Sequence, residues 1–315
     1  MTAYLVRRFL QAILVMFIVS VIVFILLHSL PGGLVRAQLG PKASTYQVLQ
    51  LERTEGLQRP LPVQFGVWLI NALKGNLGFS YKMNQTVASL LIDYLPRTLL
   101  LVGISTVLAI AVAVPIGMWQ GYRRNRPDDH VLNASTLILY AMPDFLLGVI
   151  FIILLSLDLP VLPSTATTFG ASLGTDVAVL VLPILTLMLG NISYYSRYMR
   201  SSVIDNLLED YVRTAYAIGN SSRRVLVSHV LRNSMTSTMT MIGLTLPYVF
   251  SGALIVEALF NFPGVGLLFW NASQDRDYPV LLGVVLVVTA AVVVGSLLAD
   301  IGYAMLDPRV RYVHS

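Results

Sequence analysis

The stretch FLQAILVMFIVSVIVFILLHSL, Phe9 to Leu30, decides the fold. It contains no Asp, Glu, Lys or Arg, and Arg7 and Arg8 stand immediately before it. Crossing a hydrocarbon core of about 30 Å takes roughly 20 apolar residues in a helix, and this run is long enough. A cleaved secretory signal has a shorter apolar core and a small-residue cleavage site, so the run reads as a retained first helix.

Working outward from that helix, five more stretches are long and apolar enough to span: Thr98–Gln120, Val131–Leu157, Val177–Tyr195, Met235–Leu259 and Val280–Met305. Backbone polar groups in lipid need internal partners, so these are helices rather than strands. Composition agrees. The chain is 56% hydrophobic and 12% charged, against about 25% charged for an ordinary soluble domain. The expectation is an all-α integral membrane protein, residues 1–315 forming one transmembrane domain of about six helices. Pro115, Pro143, Pro183 and Pro247 fall inside spans and are expected to kink them. With no cysteine, disulfides, thiolate metal sites and cysteine nucleophiles are excluded, and the four histidines form no ligand cluster.

Lys and Arg in short loops set the orientation. One side takes Arg7, Arg8, Arg123, Arg124, Arg126, Arg197, Arg200, Arg213, Arg223, Arg224, Arg232, Arg309 and Arg311. On the other, the loop after the third span has none and the loop after the fifth has only Arg276. The first loop, residues 31–97, is long enough to translocate regardless of charge. Both termini are therefore expected in the cytoplasm, and topology accounts for the net charge of +5 without nucleic acid.

The outer loop 31–97 reads as partly helical. Val63, Trp68, Ile70 and Leu73 recur at helical spacing over Pro62–Lys74, and Gly75-Asn76-Leu77-Gly78 is a turn signal. Gln85–Tyr94 reads as a second short helix leading to Pro96. Two roles fit this loop: an interfacial cap, or a docking surface for a protein that delivers substrate.

Between spans four and five, residues 196–234 are too polar for lipid and too long for a simple connection. Asp210-Tyr211-Val212-Arg213-Thr214-Ala215-Tyr216-Ala217-Ile218-Gly219 reads as a short surface helix. Its small residues at 214, 215, 217 and 219 suit insertion into a groove on another protein. Gly219 permits a left-handed C-cap, after which the chain can turn back toward the membrane.

With HVLRN downstream, DYVRTAYAIG resembles the EAA coupling loop of ABC importer permeases of the dipeptide/oligopeptide/nickel family. The Glu-Ala-Ala…Gly pattern falls on Arg213-Thr214-Ala215 and Gly219. Arg213 departs from the Glu of sugar-type importers, and Tyr216 stands where many relatives are basic. The resemblance runs nearly end to end: YLVRRFL, SLPGG, RPLPVQF, GNLGFSY, Pro143-Asp144-Phe145-Leu146-Leu147-Gly148, VLPILTL, GALIVEALFNFPGVG, Arg276-Asp277-Tyr278-Pro279 and LDPRVRY. The match is weakest over residues 157–176, where relatives carry a Trp-Leu-Pro-type turn.

The resemblance implies a subunit forming half of an import pathway in a bacterial or archaeal cytoplasmic membrane. Its partners would be a second homologous permease, two cytoplasmic ATPases and an external substrate-binding protein. The coupling residues it points to are Asp210, Tyr211, Arg213, Thr214, Ala215, Ala217, Gly219 and His229. ATP and Mg would be used by the ATPases, with no cofactor or metal on this chain. That agrees with the lack of any G-x-x-x-x-G-K-S/T phosphate loop in the sequence. Peptides are the expected cargo, with nickel, glutathione or oligosaccharides as alternatives. A secondary transporter is a further alternative, although no internal repeat is visible. No arrangement of residues suits catalysis.

Asp144, Phe145 and Glu257 are the candidate pore residues. An intramembrane carboxylate is by default functional. Asp144 has two readings: contact with a peptide amino terminus, or satisfaction of backbone donors freed at Pro143. For Glu257 a structural role at the subunit interface is preferred to ligand contact. Asp300 is assigned no transport role.

Overall fold

The computed structural model describes residues 2–29, 35, 39, 43–54, 56–170 and 172–306. The side chains of 2–6, 8, 236, 237, 239, 240, 242–251 and 298–306 fall outside that description. Most of SLPGG, the Asp300 side chain and the closing residues 307–315 therefore lie outside the described residues.

Among the described residues four helices are long and apolar enough to cross a membrane. They are Phe9–His28, Val87–Tyr122, Leu173–Leu207 and Tyr278–Leu297, and a bent pair, Pro127–Ala141 with Asp144–Asp158, makes a fifth candidate. The expected span 235–259 lies within a further helix, Leu231–Leu259. The chain divides into two compact units, Met1–Leu99 with Asn261–Val293 and Leu100–Phe260 with Val294–Ser315.

In the first unit, α1 (Thr2–His28) leaves Phe9, Leu10, Ile13, Leu14, Phe17 and Ile18 exposed, which is what a lipid-facing helix presents. After α2 (Thr45–Thr54) comes α3 (Leu61–Leu73), with Pro60 as its N-cap and Pro62 in the first turn. The helix read over 62–74 is present, and of the four residues that mark its repeat Trp68 packs. Phe65 and Trp68 meet Phe24 of α1 at 5.4 and 5.9 Å between ring centroids, while Val63, Ile70 and Leu73 are exposed. Aromatic contact with α1 decides which face of α3 packs.

A short hairpin, β1 (Phe79–Ser80) with β2 (Gln85–Thr86), leads straight into α4 (Val87–Tyr122). The short helix expected over 85–94 is thus the first part of this long one, which runs through Pro96 and Pro115. Val87, Leu90 and Leu91 form the unit's core with Val265, Leu268, Tyr278, Val280, Leu281 and Val284. Thr98 Oγ1 accepts from Val265 N at 2.8 Å, capping the helix Val265–Asp275 from a neighbouring element.

In the second unit, Pro127 opens α5 (Pro127–Ala141), with Asp128 and Asp129 in the first turn where the helix dipole favours them. The expected kink at Pro143 is instead a break. Met142 is extended, as a residue before proline prefers, and Pro143 becomes the N-cap of α6 (Asp144–Phe151). The two helices stand at 101°. From Ile152 to Asp158 α6 continues as a wider π-type turn. The next helix, α7 (Leu173–Leu207), is capped by Ser172 accepting from Thr175 N. At 1.5 Å per residue its 35 residues extend about 52 Å, well beyond the bilayer core. It packs most extensively against α10 (Leu231–Leu259), reached through α8 (Asp210–Ala217), α9 (Ser222–Arg224) and a π segment, Val225–Val230.

Candidate functional site

The helix α8 is only 8 residues long and would not hold alone. Two side chains anchor it. Val212 and Ala215 are buried among Met199, Val203, Val225 and Val230, so the helix is packed onto the end of α7 and the segment entering α10. Tyr211 adds a hydrogen bond from its hydroxyl to Asn206 Oδ1 at 2.7 Å. The remainder of α8 faces outward, with Asp210, Arg213, Thr214 and Ala217 exposed and Ile218 74% exposed just past its end. Arg213 and Asp210 form an ion pair at 3.4 Å, and with both side chains in solvent it adds little stability.

Termination of α8 is sharply defined. Gly219 N donates to Tyr216 O at 2.9 Å and Asn220 N to Ala215 O at 3.2 Å. With Gly219 at φ 88°, these are the two bonds of a Schellman motif. No atom lies within 4 Å of where a Cβ on Gly219 would stand, so only the backbone conformation asks for glycine. Ala215, read from sequence as part of an insertable small surface, packs inward instead. The surface left open comprises Asp210, Arg213, Thr214, Tyr216, Ala217 and Ile218. His229 sits apart from it, half-buried in the π segment.

Asp144 stands in the first turn of α6, where α5 and α6 break apart. Its carboxylate lies in a notch between two glycines on other helices. Oδ1 occupies the space of a side chain on Gly190 of α7, and a Cβ on Gly252 of α10 would stand 2.8 Å from Oδ2. Among the described residues no backbone donor at the break and no cation reaches this carboxylate, so satisfaction of freed donors is not its role there. Phe145 beside it is exposed. Glu257 is fully buried inside the second unit, so it lies at neither an open pathway nor a subunit surface.

Two turns along α7 from Gly190 lies a cavity of about 360 Å³ lined by Tyr140, Tyr194, Arg197, Tyr198, Arg200 and Asn133, together with Ser201. Arg200 donates from Nε and Nη2 to both oxygens of Asp129 at 2.9 and 2.8 Å, a bidentate pair that fixes one wall. Arg197 lies 4.8 Å from the centre of the Tyr140 ring, which stacks on Tyr194. The glycine notch is not legible in the sequence. A lone glycine in an apolar helix gives no local sign of what approaches it.

Residues 113–312 match the family described as binding-protein-dependent transport system inner membrane component, and residues 1–102 match its N-terminal part. The chain is 35% identical over 319 residues to the oligopeptide transport system permease protein AppB of Bacillus subtilis (strain 168), covering 99% of this chain and 100% of the relative. It is 36% identical over 313 residues to the glutathione transport system permease protein GsiC of Escherichia coli (strain K12), with 99% and 100% covered. An inward-facing structure of the MetNI methionine ABC transporter shares the fold at TM-score 0.58 and 15% identity, over 69% of this chain and 96% of that one.

Proposed function

The chain belongs to the family of binding-protein-dependent transport system inner membrane components, and from that premise we propose that it forms half of the pathway of an ATP-driven importer of short peptides. AppB and GsiC, similar over their whole lengths, carry names that specify oligopeptides and glutathione, both peptide cargo. In this reading the other half is a second homologous permease. Two cytoplasmic ATPases use ATP and Mg, an external protein delivers the peptide, and this chain does no chemistry and binds no cofactor. Both termini and α8 lie on the cytoplasmic side of a bacterial or archaeal cytoplasmic membrane. Asp144 and Phe145 line the path, and Glu257 serves packing.

The observation that carries this reading is α8. One face is fixed by Val212 and Ala215 to the ends of two long helices. Its other face is open, and Gly219 closes it in a conformation that no neighbouring atom enforces. A rigid element so placed passes the movement of an ATPase cleft to the spans as rigid-body motion.

Gly219→Val tests it. A β-branched residue in the left-handed region costs on the order of 1–2 kcal/mol, a factor of roughly 5–30 in the population of the docked conformation. The complex is expected to assemble, while peptide uptake and ATPase stimulation by the loaded binding protein both fall by about that factor. Gly219→Asn, which tolerates left-handed backbone, is expected to lose less. If Gly219→Val assembles and transports at the wild-type rate, α8 is not the coupling element.

A further inference from the structure

The Asp144 notch and the Arg197 cavity lie on one face of one helix. Gly190, Tyr194, Arg197 and Ser201 follow one another along α7 at intervals of four, three and four residues, the spacing that stacks side chains on a single helical face. At the Gly190 end the stripe meets a carboxylate, and at the Arg197 end it carries a guanidinium. Seven residues separate them, about 10.5 Å of helix. Asp144 and Arg197 form no ion pair with each other, and among the described residues neither has a partner of opposite charge. Between them stand the stacked rings of Tyr140 and Tyr194 and the hydroxyl of Tyr194, which donates to Tyr198 Oη at 3.2 Å. No carboxylate lines the cavity around Arg197.

The broken helix supplies the other wall. Tyr140 precedes the Met142–Pro143 break and Asp144 follows it, so the break turns one residue toward each end of the same stripe. An interfacial belt of tyrosine and arginine needs neither a buried notch for a carboxylate nor opposite charges at fixed separation on one face.

Resting on the peptide-import reading, we propose that this stripe is a binding track for zwitterionic peptides of two or three residues. Asp144 receives the α-ammonium group and Arg197 receives the α-carboxylate. An extended chain of three residues spans about 10–11 Å, and the long arginine side chain adjusts to a dipeptide. Charge at both ends selects free termini, while the tyrosine faces between them accept varied side chains.

The test is competition binding of tripeptides to the purified importer complex, without the external binding protein so that its preferences do not enter. Four ligands are compared: free at both ends, N-acetylated, C-amidated, and capped at both. In wild type each cap is expected to weaken binding roughly tenfold or more, the scale of one hydrogen-bonded ion pair. In Arg197→Gln the penalty for amidation is expected to vanish while the penalty for acetylation stays, and Asp144→Asn should give the reverse. Arg197 is exposed, so its variant is expected to assemble and its arm decides alone if Asp144→Asn does not. Equal weakening of all four peptides in Arg197→Gln, or no weakening, overturns the track, as does wild-type binding indifferent to caps. Failure of the importer reading shows separately, as absence of ATP-driven peptide uptake by the wild-type complex.

Discussion

Asp277 shows how much one residue settles in the outer loop. It is 3% exposed and accepts a hydrogen bond from Ser80 Oγ, which itself accepts from Met83 N, so the hairpin β1–β2 is fastened to the loop before the last helix. Burial pushes its carboxyl above the usual carboxylate range, against the hydrogen bonds from Ser80 and from Val280 N–H. A carboxyl with a raised folded pKa ionises less readily folded than unfolded. Its contribution to stability is therefore present at low pH and lost as pH rises from the ordinary carboxylate range through the folded value. Asp277→Asn removes that ionisation and keeps an acceptor for Ser80. Its melting temperature relative to wild type is expected to rise as pH is raised from the ordinary carboxylate range, and a flat difference would refute the account. Residues of this kind are half legible in sequence. Gly219 announces its left-handed turn through its neighbours, whereas Gly190, Gly252 and Ser80 act on partners tens to hundreds of residues away.

At the scale of elements, close helix packing follows small residues. Gly117 and Gly121 of α4 stand one turn apart and face α7. A Cβ on Gly117 would lie 2.5 Å from Ser196 O and 2.6 Å from Met199 Cβ, and one on Gly121 would lie 2.6 Å from Val203 Cγ1. This is the small-xxx-small approach of membrane helices, where van der Waals contact replaces the hydrophobic drive. Gly117→Val forces the helices apart and is expected to destabilise the complex by about 1–3 kcal/mol, read as a lower melting temperature. Gly103→Ala, at a position with no atom within 4 Å, serves as the control and should not lower it. Periodicity locates such helices because burial in lipid needs only composition. It misplaces what depends on partners: the true start of α4, and the 101° break that a single kinked span was expected to contain. Met142–Pro143 ends one helix and caps the next, and hydropathy runs unbroken across both.

For the whole molecule, lipid and charge together constrain how the chain is threaded. The exposed apolar side chains of α1 need hydrocarbon around them, and the helices long and apolar enough to span are the candidates to cross. Which way they cross rests on arginine alone. Arg123, Arg124 and Arg126 follow α4, Arg213 lies on α8, and the loop after the third expected span has no basic residue. Leu73, at the end of α3 and 81% exposed, belongs to the long first loop and should therefore face outward. The sequence contains no cysteine, so single cysteines report cleanly on each side. Leu73→Cys in intact cells is expected to react with a membrane-impermeant thiol reagent. Arg124→Cys and Arg213→Cys are expected to stay unlabelled until the cells are broken, when Arg124→Cys reacts whether or not an ATPase covers α8. Labelling of position 124 or 213 from outside would invert the topology, and with it the placement of α8 on the side where ATP is found.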